Sequence, residues 1–434
     1  MDLTAVDTGD TAWTLMATAL VMFMTIGLGV FYAGLVRSKN ALNTFMMCLA
    51  ALGVVTISWA LIGYSLAFGE GNGFIGNLDY ALLKDVGFEP VGEQTVPHLV
   101  FFAFQATFCI LTAALVSGAV VERMRFLPYL IFIAIWSIAI YPVMAHWVFG
   151  GGFLAAGGTL DFAGGVPVEM GSGFSALAAA LIVGARKDYG RQALLPHNTI
   201  YVLIGAGMLW FGWFGFNGGS GIGTNNASIL AFVNTLLCPA ATLVTWFALD
   251  FFRGRQITAV GAGTAVIVGC VGITPAGAYI SPAWALGLGV LVALPCYAVI
   301  VWRPRTRVDE TLDVLAAHGI AGFTGILLIG FFAQAGWNEA ATGGGIDGLF
   351  YGETALLGDQ ALAALVAPLY AFGATFAVLT AIKAVMPLRA SEHEEAIGMD
   401  VIQHGEEAYV TGEGAILVVP ESDREGRRPV ADVG

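Results

Sequence analysis

The chain of 434 residues is 57% hydrophobic and only 11% charged. No soluble core could hide that much apolar surface, so the composition and a mean hydropathy of +0.79 exclude a water-soluble enzyme and point to a polytopic membrane protein with no nucleic-acid partner. The formal net charge of −13 is unevenly placed, with acidic residues gathered in one set of loops and basic residues in the other.

Apolar windows of about twenty residues, the length needed to cross a bilayer, predict eleven helices. They fall at 11–36, 41–67, 97–121, 126–148, 162–185, 196–217, 227–250, 257–279, 282–302, 311–333 and 360–386. The expected fold class is therefore an all-α polytopic membrane protein. Arg37, Lys39, Arg123, Arg125, Arg186, Lys187, Arg191, Arg253, Arg255, Arg303, Arg305 and Arg307 all fall on one side of these spans, with Lys84 alone on the other. The positive-inside bias then places the N-terminus outside and the C-terminal tail in the cytoplasm. The opposite loops carry Asp79, Asp85, Glu89, Glu93, Glu339, Asp347, Glu353 and Asp359, an outer face that favours cations. The five cysteines lie within spans at no metal-like spacing and read as packing residues. The start Met-Asp-Leu-Thr lacks a basic leader segment, so the first apolar run is expected to remain as a span. Glycines inside the spans, as at Gly205, Gly207, Gly287 and Gly289, let helices approach closely.

Two distant stretches repeat each other. Glu169-Met-Gly-Ser-Gly-Phe-Ser-Ala-Leu177 aligns without gaps on His318-Gly-Ile-Ala-Gly-Phe-Thr-Gly-Ile326, and Phe31-Tyr-Ala-Gly-Leu at the end of the first span echoes Phe216-Asn-Gly-Gly-Ser at the end of the sixth. The unit then holds five spans, and an odd number forces the second copy to insert upside down. The expected architecture is a five-plus-five inverted repeat, about 11–190 and 196–335, followed by a final helix. Such repeats place a shared site near the membrane midplane. Glu169 and His318 occupy equivalent positions, and an ionisable group at the bilayer centre costs roughly 3 kcal/mol or more, which marks both as functional candidates. Glu169 lies eight residues beyond Asp161, about 12 Å along a helix. His318 lies similarly deep from the other face, so both reach the middle of a core roughly 30 Å thick. A carboxylate facing an imidazole offers proton donor, acceptor and relay chemistry. A lone membrane histidine is otherwise a polar residue satisfied by a neighbouring helix.

Asp161, followed by Gly164 and Gly165, stands where a helix begins. It reads as an N-cap accepting from free backbone N–H groups, as a fixed negative charge near an outer mouth, or as both. Phe108, Trp147, Phe149, Phe216 and Ser220 end or flank neighbouring spans. Singly, each aromatic is an interface anchor. Together they describe an outer vestibule whose ring faces attract a small cation, and whose serine hydroxyl accepts from an N–H donor.

Asp161-Phe-Ala-Gly-Gly, Gly212-Trp-Phe-Gly-Phe-Asn217, Phe104-Gln-Ala-Thr-Phe108, Val271-Gly-Ile-Thr-Pro275, Asp313-Val-Leu-Ala-Ala-His-Gly319 and Gly398-Met-Asp-Val-Ile-Gln-His-Gly-Glu-Glu-Ala-Tyr409 together resemble the ammonium transporter (Amt/Mep/Rh) family, over about residues 11 to 409. The serine of Phe216-Asn-Gly-Gly-Ser220 and the tail motif resemble the Amt branch. The resemblance implies a homotrimer of eleven-span subunits in the cell membrane, one pore per subunit, with ammonium or its analogue methylammonium as substrate and no cofactor or metal. It implies recruitment at Phe108, Phe149, Ser220 and Asp161, a gate of Phe108 and Phe216, deprotonation, and passage of ammonia through a hydrophobic pore lined at Glu169 and His318. Two positions depart from the family's usual pattern: Phe149 stands for a tryptophan of the outer site, and Glu169 for the first of two pore histidines. A glutamate there resembles some fungal members.

The membrane domain is expected to occupy 1–388 and the cytoplasmic tail 389–434. The resemblance implies that the tail around Asp400 to Tyr409 packs on the cytoplasmic face, couples subunits and meets a PII-type signalling protein. There, Arg123, Arg125, Arg186, Lys187 and Arg191 otherwise read as ordinary positive-inside charges. An ammonium sensor signalling through its tail is the alternative function, although the polar segment after Tyr409 leaves no room for a kinase or cyclase domain. An intramembrane enzyme is disfavoured by the lack of a nucleophile motif, metal cluster or paired aspartates.

Overall fold

The computed structural model describes residues 6–409. Ten helices among them are long and apolar enough to cross a membrane: α1 (Thr8–Leu35), α2 (Ser38–Phe68), α3 (His98–Ser117), α4 (Phe126–Ala156), α5 (Gly165–Val183), α6 (Thr199–Gly219), α7 (Asn226–Phe252), α9 (Pro282–Arg305), α10 (Leu315–Phe332) and α11 (Ala355–Val385). Between α7 and α9 lies the shorter apolar α8 (Ala259–Ile273). Pairing in the described residues is otherwise limited to three isolated β-bridges, as expected where backbone groups in lipid must be satisfied within helices. Caps mark the starts. Asp7, Asn198, Asn225, Thr258 and Ser281 each accept from a backbone N–H three residues on, at the heads of α1, α6, α7, α8 and α9.

Two predicted spans differ in detail. Helix α8 stops at Ile273, short of the expected 279, because Pro275 ends the helical run. Helix α4 is broken at Ile140 between Phe126–Ala139 and Tyr141–Phe149. Pro142 lacks the N–H that would bond the Ile138 carbonyl, which breaks the ladder there.

Small residues set the packing. A Cβ on Gly205 of α6 would lie 2.4 Å from the Phe31 nitrogen of α1, so these helices touch backbone to backbone. Helices α5 and α10 cross still more closely: a Cβ on Gly173 would lie 2.2 Å from the Gly319 nitrogen, and one on Gly322 would lie 2.5 Å from the Glu169 Cβ. Both helices open as π turns, over Gly165–Met170 and Leu315–Ile320, and these wide turns contain Glu169 and His318.

The basic loops are not simply solvated. Arg123 is fully buried, donating to Thr311 Oγ and to carbonyls of Ala119, Gly184 and Asp309. Arg186 bridges Glu122 and Asp309, both at 2.8 Å, and Arg37 meets Glu122 at 3.1 Å. The tail is laid on this face: Arg125 pairs with Glu394 at 2.7 Å, and Asp400 accepts from the N–H groups of Leu42 and Asn43. Residues 410–434, the rest of the predicted tail, lie outside the described residues.

Candidate functional site

On the face of the acidic loops a cavity of about 370 Å³ is lined by Phe108, Phe149, Asp161, Ser220, Gln105 and Tyr279, among others. Asp161 holds the head of α5: its carboxylate accepts from the N–H groups of Gly164 at 3.0 Å and of Gly165 and Val166 at 2.7 Å. Gly164 sits at φ +113°, a conformation that favours glycine and turns these N–H groups toward one carboxylate. Burial pushes the Asp161 carboxyl up to about 6 despite the three donors that favour its ionised form. The Ser220 hydroxyl donates to the Phe216 carbonyl at 2.8 Å, so its lone pairs are left to accept.

The rings of Phe108 and Phe216 close the floor of this cavity, with centroids 4.3 Å apart and planes tilted by 40°. Phe216 is fully buried beneath Phe108 and is not among the cavity's lining residues. Trp147 is not in the cavity either: its ring is buried, and its indole N–H donates to the Phe74 carbonyl at 3.0 Å. The lining includes three amides not singled out from the sequence, Gln94, Gln105 and Asn225. The Gln94 Oε1 is buried without a hydrogen-bond partner.

A separate narrow cavity of about 20 Å³ shares no lining residue with the outer one and has room for about one water. Its walls are mostly apolar, with Leu28, Leu111, Val168 and Leu209 beside Trp213, and the polar exceptions include Glu169 and His318. The two side chains meet directly, His318 Nδ1 to Glu169 Oε2 at 2.8 Å, and both are buried. One proton is shared in this contact. Either an Nδ1–H donates to a carboxylate, or the acid donates its O–H to a bare Nδ1. The other carboxyl oxygen, Oε1, is buried without a hydrogen-bond partner. Such a pair can accept a proton from a weak acid entering the passage and return it.

A third cavity of about 380 Å³ opens on the basic face, lined by Arg186, Tyr189, Arg303 and Asp313. It shares Thr264 and Leu312 with the narrow passage. The narrow apolar cavity carrying Glu169 and His318 thus adjoins the basic-face cavity at Thr264 and Leu312, with Phe108 and Phe216 at the floor of the outer one.

The model of the family described as Ammonium Transporter Family matches residues 12–409. The chain belongs to this family. It is 41% identical over 403 residues to an ammonium transporter of Bacillus subtilis, covering 92% of this chain and 98% of that one. It is 38% identical over 402 residues to ammonium transporter Amt1 of Archaeoglobus fulgidus, covering 92% and 99%. Among solved structures it is similar to Mep2 of Candida albicans, with a TM-score of 0.85 at 35% identity over 91% of this chain and 89% of that one. It is also similar to a structure described as a sensor Amt protein, with a TM-score of 0.84 at 29% identity over 91% and 98%. Membership accords with a multi-pass membrane protein, and the Bacillus and Archaeoglobus relatives are named for ammonium transport rather than for enzymatic activity.

Sequence reasoning passed over the buried acids of the basic loops, Glu122, Asp309 and Glu310. A signal existed for one of them. Asp161 and Glu310 are separated by the same 149 residues as Glu169 and His318, so extending the repeat alignment eight residues backward reaches both.

Proposed function

We propose that this protein carries ammonium across the membrane as eleven spans with the acidic loops outside and the tail in the cytoplasm. Ammonium is recruited in the outer cavity by the ring faces of Phe108 and Phe149 and by a lone pair of Ser220, with the buried charge of Asp161 supporting the cation from beneath. Phe108 and Phe216 move aside as the gate. The passage beyond is too narrow and apolar to hydrate an ion, so the cation gives up a proton there. Ammonia crosses beside Glu169 and His318, and the pair takes up the proton released by ammonium and passes one proton on toward the basic face. The two repeat units, 11–190 and 196–335, place this pair at their crossing. The observation that carries the reading is the 2.8 Å contact of Glu169 and His318 inside a narrow apolar cavity that adjoins the basic-face one.

The deciding experiment is uptake of labelled methylammonium into vesicles reconstituted with the purified protein. The expected result is saturable uptake that Glu169→Leu strongly reduces. Absence of uptake by a folded native protein would sink the transport reading. It would favour the second one, an ammonium sensor, which the likeness to the sensor Amt structure supports.

The reading extends to a homotrimer whose tails couple neighbouring subunits and meet a PII-type protein. Its support here is the lock of the tail onto the basic face at Arg125, Leu42 and Asn43. Truncation after Arg389 is expected to lower uptake while leaving the trimer intact by size and light scattering. Undiminished uptake would remove the coupling role.

A further inference from the structure

Asp161 and Glu310 hold corresponding places before the two helices that open as π turns. Each accepts from the N–H five residues ahead, Asp161 from Val166 at 2.7 Å and Glu310 from Leu315 at 3.2 Å. There the likeness ends. Asp161 has two further N–H donors, whereas Glu310 Oε1 is fully buried without a hydrogen-bond partner.

The charged groups around Glu310 are committed elsewhere. Arg303, at the end of α9, donates to Asp313 at 2.6 Å. Arg186 takes Asp309, and Arg123 donates to Thr311 Oγ and backbone carbonyls. Tyr32 of α1 donates its hydroxyl to the Leu115 carbonyl at 3.1 Å. Glu310 is therefore a buried carboxyl group with a weak backbone bond and no cation of its own. It also stands at a junction, since Leu312 lines both the narrow passage and the basic-face cavity, and Asp313 lines the latter.

We infer that Glu310 is a titrating cap that positions His318: its ionised form holds the first turn of α10 in register with Glu169, and its protonation from the basic-face side loosens that turn and slows passage. The inference rests on the transport reading above. A carboxylate holds an N–H about twice as strongly as a neutral acceptor does, so the cap weakens when it takes a proton. Burial, and then the charge of Asp313, push the Glu310 carboxyl up to about 7, against Arg303, which is itself paired with Asp313, and the nearby N–H groups of Val314 and Leu315, of which Leu315 forms the hydrogen bond. The cap is thus ionised above about pH 7 and neutral below it. The basic-side cavity, lined by Leu312 and Asp313 next to Glu310 in the chain, gives protons their route. Asp161, held by three N–H groups, caps the corresponding turn and keeps its charge down to a lower pH, about 6.

The test uses vesicles with the tail side enclosed, checked by protease protection, at a fixed outer pH and an inner pH of 6 or 8. Native protein is compared with Glu310→Gln, whose amide oxygen still accepts from Leu315 but cannot titrate. Both proteins experience the same gradients. The expected result is that native uptake at inner pH 6, relative to the glutamine variant, falls about fivefold from its ratio at pH 8, as for trading a charge-assisted for a neutral hydrogen bond. Parallel profiles would overturn the inference. If the glutamine variant does not fold, Glu310→Asp, an acid on a shorter arm, must shift the native midpoint, and an unmoved midpoint overturns it equally. Infrared spectra give a readout independent of transport. A protonated-carboxyl band that titrates near neutral pH and is missing from Glu310→Gln is expected, and its absence from the native protein counts against the cap even if no ammonium moves.

Discussion

The two mouths of the passage hold acids in opposite ways. At the acidic-loop end Asp161 is held by backbone N–H groups alone. No arginine or lysine lines the cavity above it. At the basic-loop end the acids are matched to arginines: Asp309 with Arg186, Asp313 with Arg303, and Glu122 with both Arg186 and Arg37. Burial pushes Glu122 up, but Arg186 and Arg37 outweigh it and hold this carboxyl below its usual range. Dipoles stabilise a carboxylate without cancelling its charge, so the field of Asp161 still reaches a cation in the cavity. Ion pairs cancel it. On the transport reading one end attracts a cation, while the ion pairs of the other lock loops and tail together, with Glu310 the acid left over.

The largest effect is expected where α5 and α10 cross. Gly173→Ala places a methyl group 2.2 Å from the Gly319 nitrogen, against backbone that cannot turn away, and Gly322→Ala places one 2.5 Å from the Glu169 Cβ. Overpacking typically costs about 1–3 kcal/mol and more where backbone must shift. Gly173→Ala is expected to prevent assembly of folded protein, and Gly322→Ala to leave folded but poorly active protein with Glu169 displaced. Melting curves of the purified variants check this. Unchanged melting of Gly173→Ala would show that the helices slide apart freely.

Next come the caps. Asp161→Ala leaves three buried N–H groups without their acceptor, at about 1–3 kcal/mol each. Lost uptake with a clear loss of thermal stability is expected. Asp161→Asn retains a capping oxygen but no charge, so it should fold and still fail to take up methylammonium. Normal uptake by the asparagine variant would refute the electrostatic role. Because the Asp161 carboxyl is pushed up to about 6, its charge is present above that value and lost below it. Uptake should therefore fall as the pH on the acidic-loop side drops through about 6.

At the constriction the test is a change of profile rather than a loss of fold. Glu169→His should remain active with a shifted dependence of current on pH, because the acid offers a negative form that a neutral imidazole lacks. Glu169→Leu should lose proton-coupled current while folding normally. Superimposable profiles of the native and histidine forms on a supported membrane, with undiminished current in the leucine form, would reduce Glu169 to a wall of the passage.

Much of this was legible in the sequence, because hydropathy windows report membrane helices directly and the repeat alignment singled out Glu169 and His318 as equivalents. Their 2.8 Å contact was not legible, since it depends on two π turns and on the close crossing at Gly173 and Gly322, which a ladder of identical apolar helices does not reveal. Phe149 and Trp147 show the same limit: two residues apart on one helix, one lines the cavity and the other is tied to the Phe74 carbonyl. Burial of Arg123 and Arg186 was also hidden, because a positive-inside count says where a charge lies and not whether acids 64 and 123 residues away in the chain meet it, as for Arg186, or carbonyls and a hydroxyl do, as for Arg123.

The smallest expected effect belongs to Ser220, and it measures how much of recruitment is hydrogen bonding rather than field. Its hydroxyl proton is committed to the Phe216 carbonyl, so what it offers a cation is one lone pair at the cavity wall. Removing a neutral acceptor costs about 1 kcal/mol, or about a fivefold weaker apparent affinity. The Phe216 carbonyl also loses its hydroxyl donor in Ser220→Ala, and because the Ser220 N–H bonds Asn217 rather than Phe216, a small loss of stability of about 1 kcal/mol is expected beside the binding effect. Concentration dependence of methylammonium uptake separates the cases: Ser220→Ala should raise the half-saturating concentration about fivefold and leave the maximal rate alone. A loss as complete as that of Asp161→Ala would mean that the hydroxyl, and not the buried carboxylate beneath it, is what selects the cation.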